Sequence, residues 1–109
     1  MRRKENREVW WSEPARHDLE EISRYLHQVA PRDSAERLVR ALLDAGESLS
    51  FRALLWPVSM DVSISVRSVL VRPYRLFYRL SDSEVEIVRI LHGHRNIQAI
   101  LRTMAQKRL

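Results

Sequence analysis

The run Val71-Arg72-Pro73-Tyr74-Arg75-Leu76-Phe77-Tyr78-Arg79-Leu80 alternates residue types with a period of two. Across the polar turn Ser81-Asp82-Ser83-Glu84 it is answered by Val85-Glu86-Ile87-Val88-Arg89-Ile90-Leu91-His92-Gly93-His94-Arg95. In an extended chain successive side chains point to opposite faces. Tyr74, Leu76, Tyr78 and Leu80 therefore share one face of a strand, and Arg75, Phe77 and Arg79 the other. The second run reads as a strand folding back, with Val85, Ile87 and Leu91 on one face and Val88 and Ile90 on the other. Apolar residues on both faces argue for a central strand. The hairpin predicts the centre of a small sheet, with an arginine-lined face that ends in His92-Gly93-His94-Arg95.

Upstream, Val66-Arg67-Ser68-Val69-Leu70-Val71 predicts the preceding strand, and Pro73 marks its turn into the hairpin. Glu8-Val9-Trp10-Trp11-Ser12 predicts a first strand. Ser12 is placed to cap a helix, with Pro14 in the first turn, where a missing N–H costs little. Ala15, Leu19, Ile22, Leu26 and Val29 form one face of an amphipathic helix over about residues 13–29. Ala30-Pro31-Arg32 ends it. Asp33 with Glu36 gives a capping-box-like start to a second helix, whose apolar face is Ala35, Leu38, Val39, Leu42, Leu43, Ala45 and Leu49. The short connection predicts an antiparallel helical hairpin. Gly46 reads as a local weakness of about 1 kcal/mol relative to alanine.

Phe51, Leu54, Leu55, Trp56 and Met60 are too apolar for a free loop and are expected to cover one end of the core. At the other end Asn96 starts a short helix with a stripe of Ile97, Ile100, Leu101 and Met104. That stripe either completes the core or stays available to a partner. The order is β-α-α-β-β-β plus a C-terminal helix. It predicts a two-layer α+β domain, a helical hairpin packed on a mostly antiparallel four-stranded sheet. One domain spans residues 1–109, with 1–7 and 105–109 expected to be flexible.

The net charge of +5 is unevenly placed. Residues 1–65 hold ten Lys/Arg against eleven Asp/Glu, whereas residues 66–109 hold nine against three. A positive field on the sheet half favours an acidic partner, whether nucleic acid or an acidic protein segment. There are no cysteines, which removes disulfide and thiolate chemistry. Neither a signal-peptide pattern nor an apolar run of spanning length occurs, so the expectation is a cytoplasmic protein with no membrane partner.

The stretch Val9-Trp10-Trp11-Ser12-Glu13-Pro14-Ala15-Arg16-His17-Asp18-Leu19-Glu20-Glu21-Ile22, with Tyr25 after it, resembles the opening of the ParE branch of the ParE/RelE toxin superfamily. Ala35-Glu36-Arg37-Leu38, Pro57, Arg67-Ser68 and Tyr74-Arg75-Leu76-Phe77-Tyr78-Arg79 resemble its middle elements. Val85 to Ile97 resembles its closing motif, with His94 where arginine is usual and Asn96 where aspartate is usual. The resemblance covers about residues 8–101. It implies the RelE/ParE-like fold and a bacterial type II toxin, neutralised by a ParD-like antitoxin and inhibiting DNA gyrase by direct binding. The RelE branch instead implies ribosome-dependent cleavage of mRNA.

The two branches ask different things of the same residues. Binding without catalysis uses Arg75, Arg79, Arg89, His92, His94 and Arg95 as the target-binding face. Trp10, Trp11, Ile97, Ile100, Leu101 and Met104 then offer apolar surface to the antitoxin. RNA cleavage needs a base for the ribose 2′-OH, an acid for the leaving oxygen and cations for the phosphorane. Arg67, Arg75, Arg79 and His92 are the candidates for that chemistry. No lysine occurs between 66 and 106, and no tyrosine or histidine ends the chain, which weighs against the RelE reading. His92 and His94 are too few to hold a metal without a third ligand, so no metal or cofactor is expected.

Overall fold

A computed structural model describes residues 6–56, 66–93, 97–100 and 102. Strand β1 (Glu8–Trp11) leads into helix α1 (Glu13–Val29), and helix α2 (Arg32–Arg52) continues into a 3-10 turn at Ala53–Leu55. Strands β2 (Arg67–Val71), β3 (Tyr74–Leu80) and β4 (Glu84–His92) complete the sheet, and residues 97–100 and 102 are helical. The sheet order is β1-β4-β3-β2. β2, β3 and β4 are antiparallel neighbours, and β1 lies parallel to β4. The two helices cover one face, the two-layer α+β arrangement that the periodicity predicts. No helix among the described residues is long and apolar enough to cross a membrane.

Helix α1 begins as its sequence dictates. Ser12 has extended backbone, and its Oγ accepts the Ala15 N–H at 3.1 Å, satisfying one orphan donor of the first turn. The same hydroxyl donates to the Val88 carbonyl at 3.1 Å, so the cap also fixes the helix to β4. The start of α2 differs from expectation. It begins at Arg32 behind Pro31, without a side-chain cap. Asp33 sits inside the first turn, where a carboxylate still complements the helix dipole.

The main core joins Ala15, Ile22 and Leu26 of α1 and Ala35, Leu42 and Leu49 of α2 to Tyr74, Leu76, Tyr78, Val85, Ile87 and Ile90 of the sheet. A smaller cluster on the opposite face contains Val66, Phe77, Val88 and Leu91, with Ile97 and Ile100 packed against it. β4 is therefore central and apolar on both faces, but the assignment of its faces changes. Tyr78 pairs with Ile87 while Phe77 pairs with Arg89, so Val88 is an extra residue opposite that step. Such a bulge inverts the facing of every later residue. Ile90 thus joins the helix side and Leu91 the outer side, the reverse of strict alternation.

Two further expectations are corrected. Phe51, Leu54 and Leu55 are 60%, 59% and 65% exposed, not a cover for the core. Only Ala53 is buried there, with Trp56 packed beside the core; Met60 lies outside the described residues, as do residues 1–5 and 105–109 of the expected flexible ends. Gly46 is no simple weakness. A Cβ added there would stand 2.4 Å from Cζ2 of Trp11 and 2.9 Å from Cδ1 of Ile87. The helix gives up propensity at this point so that an indole can lie against its backbone.

Candidate functional site

The sheet distributes the predicted site residues over three surfaces. Arg75 and Arg79 project from β3 on the face away from the helices. Arg79 Nη2 meets Glu86 Oε1 at 2.8 Å, with both side chains largely covered. Arg75 Nη1 donates to Ser68 Oγ at 3.1 Å. Phe77, between them, is buried in the outer cluster. Arg67 and His92 lie on the helix side. Arg67 Nη1 donates to the Trp56 carbonyl at 2.6 Å, and the His92 ring stands edge-on to Tyr74, with centroids 5.5 Å apart. Arg67 and His92 are thus separated from Arg75 and Arg79 by the sheet itself. His94 and Arg95 lie outside the described residues.

Arg89 occupies the edge between these surfaces. β1 pairs with β4 only from Glu84 to Ile87, which leaves the far half of β4 with an open edge. The start of α1 closes it. Besides the Ser12 contacts, Asp18 receives Arg89 through both carboxylate oxygens, Nε to Oδ2 at 2.6 Å and Nη2 to Oδ1 at 2.8 Å. Oδ2 also accepts the Ile90 N–H at 2.9 Å. One carboxylate therefore holds a planar guanidinium in bidentate fashion and satisfies a strand-edge donor.

The two adjacent tryptophans point to opposite faces. Trp11 lies inward beside Gly46, packed on the main core. Trp10 is 44% exposed on the outer face, and its indole N–H donates to Glu84 Oε1 at 3.2 Å. Ile97 and Ile100 are partly buried against the outer cluster, the core-completing alternative for that stripe. Leu101 and Met104 lie outside the described residues. The periodicity did not single out Asp18, Glu84 or Glu86 as partners of these groups. The one signal was the Asp18-Leu19 step of the opening motif, because the contact joins residues 71 positions apart.

Tyr78 supplies the strongest electrostatic feature. It is fully buried, and its hydroxyl donates to the Ala53 carbonyl at 2.6 Å. Burial pushes its pKa up to about 12, against a smaller lowering effect from Arg67. Burial, and secondarily Tyr25, also raise that of Tyr74. The proton is held more tightly by the folded Tyr78 than by an unfolded tyrosine. Its stabilising contribution is whole below about pH 10 and is lost as the pH rises towards 12. Chemical denaturation across that window should show an alkaline decline in stability. Tyr78→Phe should flatten the decline and lower stability near neutrality by about 1–2 kcal/mol, leaving the Ala53 carbonyl without its donor. An unchanged alkaline slope in Tyr78→Phe would assign the decline to other groups.

Among the described residues no group of three or more His, Cys, Asp or Glu is placed to hold a metal. The fold, with its helical hairpin, bulged β4 and parallel edge strand, is one that other proteins share. Residues 9–97 match the model of a family described as the ParE toxin of the type II toxin–antitoxin system parDE, and the chain belongs to that family. A chain of the chromosomal ParDE system from P. aeruginosa superposes with a TM-score of 0.68 at 22% identity, over 81% of this chain and 97% of that one. A chain of the RelBE2 toxin–antitoxin complex from Mycobacterium tuberculosis superposes with a TM-score of 0.59 at 25% identity, over 80% and 98% respectively. No curated protein sequence gives a significant match.

Proposed function

We propose that this toxin acts by stoichiometric binding to DNA gyrase in the bacterial cytoplasm, and that a ParD-like antitoxin silences it by direct contact. The observation that carries the reading is the family match, which runs from β1 to the residue that closes the outer cluster. The arrangement of the arginines supports recognition over catalysis. Arg79 and Arg89 are matched to Glu86 and Asp18, which offsets the positive charge that a phosphorane would need. Arg67 and His92 lie across the sheet from Arg75 and Arg79, so these four do not converge on one phosphate. Within this reading Arg75, Arg79, Arg89, His92, His94 and Arg95 contribute to the target surface. Trp10, Trp11, Ile97, Ile100, Leu101 and Met104 contribute to antitoxin binding, Trp11 by shaping the surface from beneath and Ile97 and Ile100 through the part of their surface that packing on the outer cluster leaves open.

The fold shared with a chain of the RelBE2 complex favours a second reading, a ribosome-dependent endoribonuclease using Arg67, Arg75, Arg79 and His92. One paired experiment separates the two. Purified protein is added to a gyrase supercoiling assay and to a translating extract read by primer extension. The expected result is loss of supercoiling at protein concentrations comparable to the enzyme, restored by the antitoxin, with intact mRNA. Codon-specific cuts with unchanged supercoiling would establish the second reading and sink the first.

A further inference from the structure

Helix α2 turns one stripe of residues straight away from the core. Asp33, Arg37, Arg40, Asp44, Glu47 and Phe51 follow one another at spacings of four, three, four, three and four, and every one of them is exposed. That spacing keeps them on one face, while the buried Ala35, Leu42, Gly46 and Leu49 occupy the opposite side. An open groove of about 420 Å³ runs along the stripe, lined by Asp33, Glu36, Arg37, Arg40, Ala41 and Asp44. Arg32 and Glu36 pair with each other beside it, but none of the charged residues of the stripe itself forms an ion pair among the described residues. At one end of the helix Phe51, Leu54 and Leu55 leave an apolar patch in solvent, and at the other end Val29 is exposed. Contiguous exposed apolar residues beside unpaired charges mark a contact surface.

The stripe is complementary to itself. Its spacing reads the same in both directions from a point level with Leu42. Laid antiparallel on a second copy about a twofold axis at that point, it sets Arg37 against the partner's Glu47 and Arg40 against the partner's Asp44. Symmetry repeats both ion pairs. A parallel pairing would instead set each charge against its like. We propose that the protein associates with a second copy of itself through α2, as an antiparallel helix pair. The partner's Phe51 comes to the Asp33 end of the groove, against the aliphatic stem of Arg37. The apolar patch of each copy is brought to the Val29 end of the other. The overall charge selects the same arrangement. Chains of net charge +5 repel, but residues 1–65 hold ten Lys/Arg against eleven Asp/Glu. Copies that meet through α2 keep their positive sheet halves apart. Exposed ion pairs each contribute little, so the dimer is weak and salt-sensitive, forming at micromolar protein. It leaves the Arg75 and Arg79 face of both copies outward, and it stands whether the target is gyrase or the ribosome.

The test is sedimentation equilibrium of the full chain across a wide micromolar range, at low and at high salt. The expected result is a reversible monomer–dimer equilibrium whose dissociation constant rises roughly tenfold at high salt. Arg40→Glu sets carboxylate against carboxylate across the axis, and Asp44→Arg sets guanidinium against guanidinium. Each variant should weaken the dimer by about tenfold or more. An equimolar mixture of the two should restore it, because a guanidinium then faces a carboxylate at both contacts. Both positions are exposed, so the core is untouched, and the readout does not involve gyrase. A chain that stays monomeric at low salt overturns the proposal. A dimer that survives in both variants overturns it too, by placing the contact elsewhere. A mixture that stays monomeric overturns the antiparallel register on which the proposal rests.

Discussion

Asp18→Ala should lower stability by about 2–4 kcal/mol, which in a domain of this size moves the melting temperature down by roughly 10–20 °C. The magnitude follows from what is stranded. Removing the carboxylate leaves Arg89 without its bidentate partner and the Ile90 N–H without an acceptor. The pair keeps some solvent contact, with side chains 19% and 12% exposed. The loss therefore falls short of that for a fully buried pair, where solvent gives no relief. Arg89→Ala should cost less, because Asp18 can still accept from Ile90. The double variant should cost less than the sum of the singles, since each removes the same ion pair. Urea denaturation of the three variants checks the order. Equal losses for the two single variants would mean that the strand-edge hydrogen bond contributes nothing.

Gly46→Ala is the second large effect and runs against helix propensity. In an exposed helix the substitution stabilises by about 1 kcal/mol. At this position the new methyl overlaps the rigid Trp11 ring and crowds Ile87. Overpacking of this kind typically costs about 1–3 kcal/mol, and the 2.4 Å approach places the net outcome on the destabilising side. Trp11→Phe removes the ring atoms that obstruct the methyl. The combined Trp11→Phe, Gly46→Ala protein should therefore show much less loss than the two changes summed, by denaturant midpoint. Full additivity would remove the steric explanation.

Much of the architecture was legible because it rests on local periodicity. The four-and-three spacing from Ala15 to Val29 predicted α1 to its observed bounds, and Ser12 announced its cap. The alternation from Tyr74 to Leu80 placed Tyr74, Leu76 and Tyr78 under the helices. The failures share a cause of another kind. A bulge belongs to a pair of strands, so nothing in β4 alone reveals that Val88 is an extra residue, and Ile90 and Leu91 were read onto the wrong faces. Asp33 is a plausible cap in any helix start, but the cap position falls two residues earlier, at Pro31. The apolarity of Phe51, Leu54 and Leu55 suggested burial, yet composition does not fix which side of a 3-10 turn meets the core.

The site divided along the same line. The residue types of the arginine face were evident in the sequence, because a strand's alternation puts Arg75 and Arg79 on one side without reference to any other element. The neutralisation of Arg79 by Glu86 depends on the register of the β3–β4 hairpin, and the capture of Arg89 by Asp18 on a strand and a helix that meet across 71 positions of chain. By itself the sequence determined the element order, the two-layer class and the polarity of each face, since those follow from side-chain direction along a single segment. Only the tertiary structure decided which charges are spent on one another, why Gly46 must be small, and that Trp10 stays exposed beside Glu84 while Trp11 is packed inward. Those properties depend on distance between segments, which only folding sets.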